Sequence, residues 1–437
     1  MNASEWSGKT PDLLALKAAW PERYPALFCT GGQSGWDILF AFPQAVLELP
    51  SCANAGETQA FFSSLPQPVI PDNPGSELPF RGGWLLVLSY ELGGIFEPSA
   101  GIPPDAEGFP LAWALRIPAA ILVDHRRRQT WLMAEAGQDV LLDQMRSDLL
   151  DSPALPEDGL SEYQLTEDPP EVFLDGIARI KSYIREGDVF QVNLSRGWKA
   201  DFSRPAAPSG LYNRLRSHNP APFSAVVEMG EWAIVSSSPE RLVKLEPGGK
   251  LLTRPIAGTH PRGATSDEDD ALKARLAAHP KERAEHIMLV DLERNDLGRV
   301  CEPGSVRVEA LMELSSYTHV HHLESTVCGQ LKPDVSLFEL MKAVFPGGTI
   351  TGCPKVRTMQ IIRELEQAPR RIYTGSLGYV NLDGTLDMNI LIRSFLLKAC
   401  QAWFRTGAGI VADSDPEREL AETRAKAKGL LKSLGEG

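Results

Sequence analysis

The chain has 437 residues, of which 43% are hydrophobic and 23% charged, and its 44 Lys and Arg against 57 Asp and Glu give a formal net charge of -13. That length supports a sizeable core in one large domain or two, and the acidic excess repels polyanions, so nucleic acid is not an expected partner. No apolar run is long enough to span a bilayer, and an N-terminus carrying Glu5, Lys9 and Asp12 lacks the charged-then-apolar order of a signal peptide. No membrane contact is expected, and the cytoplasm is the expected location. The cysteines (Cys29, Cys52, Cys301, Cys328, Cys353, Cys400) are scattered, with no CxxC pair and no His at metal-ligand spacing, which reads as reduced thiols.

Up to about residue 150, short apolar runs are broken by Pro and Gly: Trp36 to Phe42, Gly83 to Ser89, Ile117 to Asp124 and Gln129 to Ala134. The last two flank the polar turn His125-Arg126-Arg127-Arg128 and predict a hairpin. The Pro- and acid-rich stretch Asp151 to Pro170 has too little apolar content for a regular element and reads as a linker or surface crossing. It separates a first region, 1–155, packed on the rest, from a second, 165–434. Beyond it, Val172, Phe173, Ile177, Ile180 and Ile184 recur at helical spacing over Glu171 to Glu186, and Gly187 ends that helix before a strand from Val189 to Ser195. Further strands are predicted at Phe223 to Glu228, Ala233 to Ser237, Arg241 to Leu245 and Gly375 to Asn381. Helices are predicted at Asp267 to Ala278, Lys281 to Leu292, Leu337 to Val344, Val356 to Leu365 and Arg418 to Leu434. Hairpins mixed with long helices make the class α+β.

Three constellations can carry chemistry. Glu282-x-x-Glu285 and Glu419-x-x-Glu422 are matched doublets in predicted helices, where residues three apart share a face. Two such faces brought together repel unless a cation joins them, and oxygen-only donors suit Mg²⁺. The same spacing also fits solvated helix faces, and Lys426, four residues after Glu422, fits an ordinary helix ion pair. Next come loops rich in Gly, Pro and Thr: Arg254 to Thr259, Pro346 to Lys355, and Gly407-Ala408-Gly409. Their amides can approach a small carboxylated ligand, with a helix starting near Pro354 adding its positive end, although each can equally be a turn. The stretch GGTITGCPK lacks the order of a phosphate loop. Finally, His322 can move protons near neutrality or be a buried structural histidine, and Arg393, after Asn389-Ile390-Leu391-Ile392, can clamp a carboxylate from the end of an apolar strand or pair with a structural acid.

In order along the chain, GDVFQVNLSR from Gly187, SSPERL from Ser237, RPIAGTHPRG from Arg254, KERAEHIMLVDLERNDLGRV from Lys281, HHLES from His321, FPGGTITGCPKVRTMQII from Phe345 and GAGIVADSDPERELAETRAKA from Gly407 resemble the chorismate-utilising enzyme family. That family includes the first components of anthranilate and aminodeoxychorismate synthases and the isochorismate and salicylate synthases. The resemblance implies a sandwich of large antiparallel sheets with helices outside, and makes 165–434 the chorismate-binding catalytic region. It also implies Mg²⁺ held directly by Glu285 and Glu422, with Glu282 and Glu419 holding metal-bound water, against the ring carboxylate of chorismate. By the same resemblance, Arg393, Tyr373 and the amides near Gly407, Ala408 and Gly409 hold the enolpyruvyl carboxylate. His322, Thr259 and Glu240 line the ring beside Gly258, and Lys426 lies close to the metal-bound carboxylate.

Isochorismate and salicylate synthases resemble one another in carrying a water-activating lysine where this chain has Gln191, so nitrogen addition is expected. Asn193, Ile350 and Thr351, together with Leu78 to Gly83 and Ser89 to Gly93, resemble the aminodeoxychorismate kind. Ala257 departs from it, standing where many of those enzymes carry a nucleophilic lysine and where anthranilate synthases carry alanine; a methyl group cannot attack. The expectation is therefore aminodeoxychorismate synthesis with ammonia adding first at C2. The alternatives are anthranilate synthesis and a non-catalytic chorismate or tryptophan sensor. With no G-x-C-x-G glutaminase turn in the chain, ammonia is expected from solution or from a separate glutamine amidotransferase subunit.

Overall fold

The structure, a computed structural model, describes residues 1–9, 11–31, 35–68, 77–151, 153–155, 159–263, 265–316 and 320–436; at 257, 259–261, 280, 281 and 320 it describes the backbone alone. Its strands form two large sheets in which the described pairings between strands are antiparallel. The first, of 12 strands, runs in the order Asn2–Trp6, Gln129–Ala134, Ala119–Asp124, Trp36–Ala41, Ala26–Cys29, Phe223–Met229, Trp232–Ser238, Ser394–Lys398, Gln401–Ile410, Gln191–Phe202 and Gly352–Cys353, with Tyr163–Glu167 also paired to Gln191–Phe202. The second, of 10 strands, runs Ile256–Pro261, Val320–Gln330, Lys250–Arg254, Arg241–Leu245, Leu386–Asn389, Ser376–Asn381, Gly83–Leu88, Ala112–Ile117 and Val46–Leu49, with Arg307–Ser316 also paired to Val320–Gln330. Both sheets thus join strands from before and after residue 160, in two contiguous blocks that meet where Ala26–Cys29 pairs with Phe223–Met229 in the first and where Gly83–Leu88 pairs with Ser376–Asn381 in the second.

The continuous apolar runs are explained by burial on both faces, which a half-solvated strand with period two would not need. Ile38 and Phe40 pack between the sheets against Leu85, Val87 and Leu115, while Leu39 points the other way, into a core shared with the helices Leu13–Ala19, Pro208–His218 and Pro416–Leu434. Leu86 and Leu88 likewise point outward, to Ala55–Ser63, Leu337–Val344 and Pro280–Val300. Helices therefore lie outside a sheet sandwich, each buried Leu, Ile or Phe contributing roughly 1.5–3 kcal/mol to holding the layers together.

The Ile117 to Ala134 hairpin forms, from Ala119↔Ala134 to Asp124↔Gln129. Two boundaries move outward: the strand expected at Val189 to Ser195 is Gln191–Phe202, and the helix expected at Lys281 to Leu292 runs Pro280–Val300, its extra turns buried through Leu297 and Val300. The stretch Asp151 to Pro170, read as lacking regular structure, contains the strand Tyr163–Glu167. Its stability comes from backbone pairing to Gln191–Phe202, from Tyr163 against Phe202 with ring centroids 5.3 Å apart, and from Arg196 to Glu167 at 2.5 Å, none of which shows as local apolar content.

Candidate active site

Two segments cross between the sheets side by side, and each carries a predicted residue. Glu240 follows Trp232–Ser238 of the first sheet and precedes Arg241–Leu245 of the second; Arg393 lies between Leu386–Asn389 of the second and Ser394–Lys398 of the first. The crossings are clasped by Ile390 N–H to Glu240 O (3.0 Å), Ser238 Oγ to Ile390 O (2.5 Å) and Ser237 N–H to Arg393 O (3.1 Å). Tyr373 is tied to the same crossing, since Thr374 N–H donates to Leu391 O (2.7 Å) and Leu391 N–H to Gly375 O (2.8 Å). Arg393 is thus not at the end of an apolar strand, as expected, but in a bend with φ 54°, where the chain changes sheets. Burial pushes its guanidinium pKa down, an effect partly offset by Tyr373 and by the charge of Glu422.

Across from these, Gly407 and Gly409 face Ser195 and Asn193 in the strand pair. A methyl group on Gly407 would stand 2.6 Å from the Tyr373 hydroxyl and 2.7 Å from Asn193 Oδ1 and Leu194 O; on Gly409 it would stand 2.3 Å from Gln191 Nε2 and 3.4 Å from Glu285 Oε1. Glycine is what lets these four side chains, two from the neighbouring strand, one from a helix and one from a turn, meet this strand. Ala408 between them is fully buried in an apolar cluster with Val192 and Ile410, which leaves only its main chain for a ligand.

The carboxylate doublets arrive on two helices. In Pro280–Val300, capped by His279, Glu285 accepts from Gln191 Nε2 at 3.0 Å, and Glu282 lies so close to Gly258 that a methyl there would be 2.8 Å from its Oε2. In Pro416–Leu434, capped by Asp415, Glu419 is buried, while Glu422 is exposed and pairs with Lys426 at 2.7 Å. Lys426 Nζ also donates to Gly407 O at 3.0 Å, so the side chain that makes the helix ion pair also reaches the Gly407 strand. The donor set is all oxygen, which suits Mg²⁺ with retained waters. Among the described residues, however, no group of three or more acids, His or Cys converges closely enough to hold an ion as the side chains stand.

His322 is buried, and its backbone pairs with Thr259, whose side chain, like that of Ala257, lies outside the described residues. Burial, reinforced by the charge of Arg393, lowers the His322 pKa to about 4 against an opposing hydrogen bond to the Gly258 backbone, so the ring is neutral at pH 7. Glu240 shows the opposite displacement: burial pushes its carboxyl up to about 7, against the pull of Thr349, the Ile256 amide and the charge of Lys426. Its Oε1 has no hydrogen-bond partner among the described residues, and neither do Gln191 Oε1 and Asn193 Oδ1.

Sequence reasoning missed Glu293, eight residues beyond Glu285 on the same helix. Its carboxyl is pushed up to about 8 by burial and by neighbouring Asp296, against the pull of Thr253 and Lys355, and Glu240 adds to the rise. It missed Arg370 as well, whose place in Pro369-Arg370-Arg371 looks like solvated charge; the signal was Glu366 four residues earlier. A separate cavity of about 900 Å³, lined among others by Phe28, Trp36, Arg81, Arg241 and Asp387, takes in Arg254 and Ile256 of the predicted Arg254 to Thr259 loop but none of the predicted catalytic or metal-binding side chains.

Comparison with known proteins shows the family and the fold. A sequence profile of the chorismate binding enzymes matches residues 28–432, and the chain belongs to that family of chorismate-utilising enzymes. It is 43% identical over 371 residues to an anthranilate synthase component I-like protein of Synechocystis, covering 84% of this chain and 75% of that one. It is 42% identical over 370 residues to aminodeoxychorismate synthase component 1 of Bacillus subtilis, covering 81% and 77%. The crystal structure of anthranilate synthase component I from Streptococcus pneumoniae superposes with a TM-score of 0.78 at 31% identity over 90% of this chain and 91% of that one. The isochorismate synthase MenF of Escherichia coli, at 19% identity, shares the fold with a TM-score of 0.75 over 99% and 94%. No helix among the described residues is long and apolar enough to cross a membrane.

Proposed function

We propose that the chain aminates chorismate to 4-amino-4-deoxychorismate, for 4-aminobenzoate and folate synthesis, with ammonia from a glutamine amidotransferase partner. The observation that carries nitrogen over water addition is Gln191. Its amide donates to Glu285 at 3.0 Å, and an amide nitrogen cannot take a proton from water as a lysine can.

In this reading Arg393, the Tyr373 hydroxyl and the main chain of Gly407 to Gly409 hold the enolpyruvyl carboxylate, with Thr259 and Gly258 along the ring. Glu240 supplies the proton with which the C4 hydroxyl leaves as water, while ammonia forms the new C–N bond at C2 and both ring double bonds shift. The C2 nitrogen stays an ammonium, which makes it a leaving group. A second ammonia then bonds to C4 as the C2–N bond breaks, the ring double bonds shift back and the first nitrogen leaves as neutral ammonia; His322 relays the surplus proton of the C4 ammonium to the Glu240 carboxylate, so that one ammonia is consumed and one water released, and no enzyme nucleophile is needed at Ala257. Mg²⁺, bound by Glu285 and Glu422 directly and by Glu282 and Glu419 through water, would neutralise the ring carboxylate, with Lys426 beside it.

The Bacillus subtilis relative supports this product. A second reading, anthranilate and pyruvate, is favoured by Ala257 and by the names of the Synechocystis relative and the Streptococcus structure. Incubating the purified chain with chorismate, Mg²⁺ and an ammonium salt, with and without aminodeoxychorismate lyase, separates them. Lyase-dependent 4-aminobenzoate is the expected outcome, and unaided anthranilate would replace the first reading with the second.

A further inference from the structure

Arg370 is almost wholly buried, as is its partner Glu366, both side chains being 1% exposed. All five of its N–H donors are engaged. Nε and an Nη bond the two oxygens of Glu366 at 2.9 and 2.6 Å, and the same Nη reaches Asn193 O at 2.8 Å; the other reaches Ile350 O and Thr374 Oγ1, both at 3.3 Å. The guanidinium carbon lies 4.8 Å from the ring centroid of Tyr90 and 5.4 Å from that of Tyr373. Glu366 also accepts from Ser195 N–H and Oγ, each at 2.8 Å, directly opposite Gly407, and lies 3.3 Å from Arg405.

One guanidinium therefore joins the strand that carries Gln191 and Asn193, the Gly347 to Gly352 loop, and the Tyr373 to Thr374 turn. Through Glu366 it also fixes the register in which Gly407 meets the Tyr373 hydroxyl. Its cation is consumed internally, since a bidentate carboxylate neutralises it, so its role is not to bind an anion from solution.

We propose that Arg370, anchored by Glu366, is a positioning residue for the substrate-carboxylate cradle, setting the ring of Tyr373 against Gly407. This rests on the reading of Tyr373 as a substrate contact. A lysine at 370 keeps the charge but loses the planar fork and the stacking that fix the ring. The test is a double-mutant cycle on chorismate consumption, which does not depend on which product forms, using Arg370→Lys, Tyr373→Phe and the double variant, with melting temperatures measured alongside.

Each single variant is expected to raise KM for chorismate roughly tenfold, about the worth of one hydrogen bond to a charged group, with a smaller change in kcat. Arg370→Lys is expected to add little in the Tyr373→Phe background, because a misplaced ring has no hydroxyl left to lose. If Arg370→Lys does not fold, Glu366→Gln enters the same cycle with the same expectation. An unchanged KM in Tyr373→Phe removes Tyr373 from the substrate and this proposal with it. A clear Tyr373→Phe effect combined with additive Arg370→Lys, or with a lowered melting temperature at unchanged KM, leaves Tyr373 in place and overturns the positioning role alone.

Discussion

Glu240→Gln tests the electrostatics of the site most directly. The carboxyl is 6% exposed, its Oε1 has no hydrogen-bond partner among the described residues, and burial moves its pKa from 4.5 to about 7. At about 1.4 kcal/mol per pH unit, that displacement is roughly 3 kcal/mol of preference for the neutral acid in the folded state. The folded chain thus holds a proton that the unfolded chain has already lost between pH 4.5 and 7, so this group's contribution to stability falls as pH rises through that window. Roughly 2 kcal/mol of the fall lies between pH 5.5 and 8. Glutamine has nearly the same shape and cannot titrate, so denaturant unfolding at those two pH values should show a correspondingly flatter dependence in the variant. The same group predicts an alkaline limb near pH 7 in kcat/KM, and a loss of roughly 10² to 10⁴ in rate for the variant if it is the general acid. Parallel stability profiles for the two proteins would show that Glu240 is ionised or solvated, and the acid role would fall with that result.

Glu422→Gln and Glu285→Gln should each abolish the response of chorismate turnover to added Mg²⁺, as should a chelator on the parent protein. Glu422, with a side chain 46% exposed, should change folding stability by less than about 0.5 kcal/mol, which calorimetry checks. Gly407→Ala places a methyl 2.7 Å from the backbone oxygen of Leu194, which cannot step aside as the Tyr373 hydroxyl can, and should cost about 1–3 kcal/mol of stability together with a raised KM. Gly352→Ala combines φ +131° with a Cβ 2.1 Å from Gln191 O, in the strand that pairs Gly352–Cys353 with Gln191 and Val192. Loss of that pairing, seen by amide exchange at Val192, is expected with a stability loss of about 1–3 kcal/mol.

Local pattern alone made the helix Glu171 to Glu186, the Ile117 to Ala134 hairpin and the helices that carry the two carboxylate doublets legible, because helical spacing, turn residues and caps act within a few residues. The ordered segments from Gly187 to Ala427 were enough to point to chorismate. What the sequence could not assign was the strand Tyr163–Glu167, whose partners are dozens of residues away, and the bend at Arg393, which exists because the chain changes sheets there. Nor could it tell a solvated Arg370 from a buried one: that depends on Glu366, Asn193, Ile350 and two tyrosine rings arriving from separate elements. The neutral state of His322 and the protonated leaning of Glu240 were likewise set by tertiary burial, since the cost of holding charge away from water is a property of the surroundings and not of the residue.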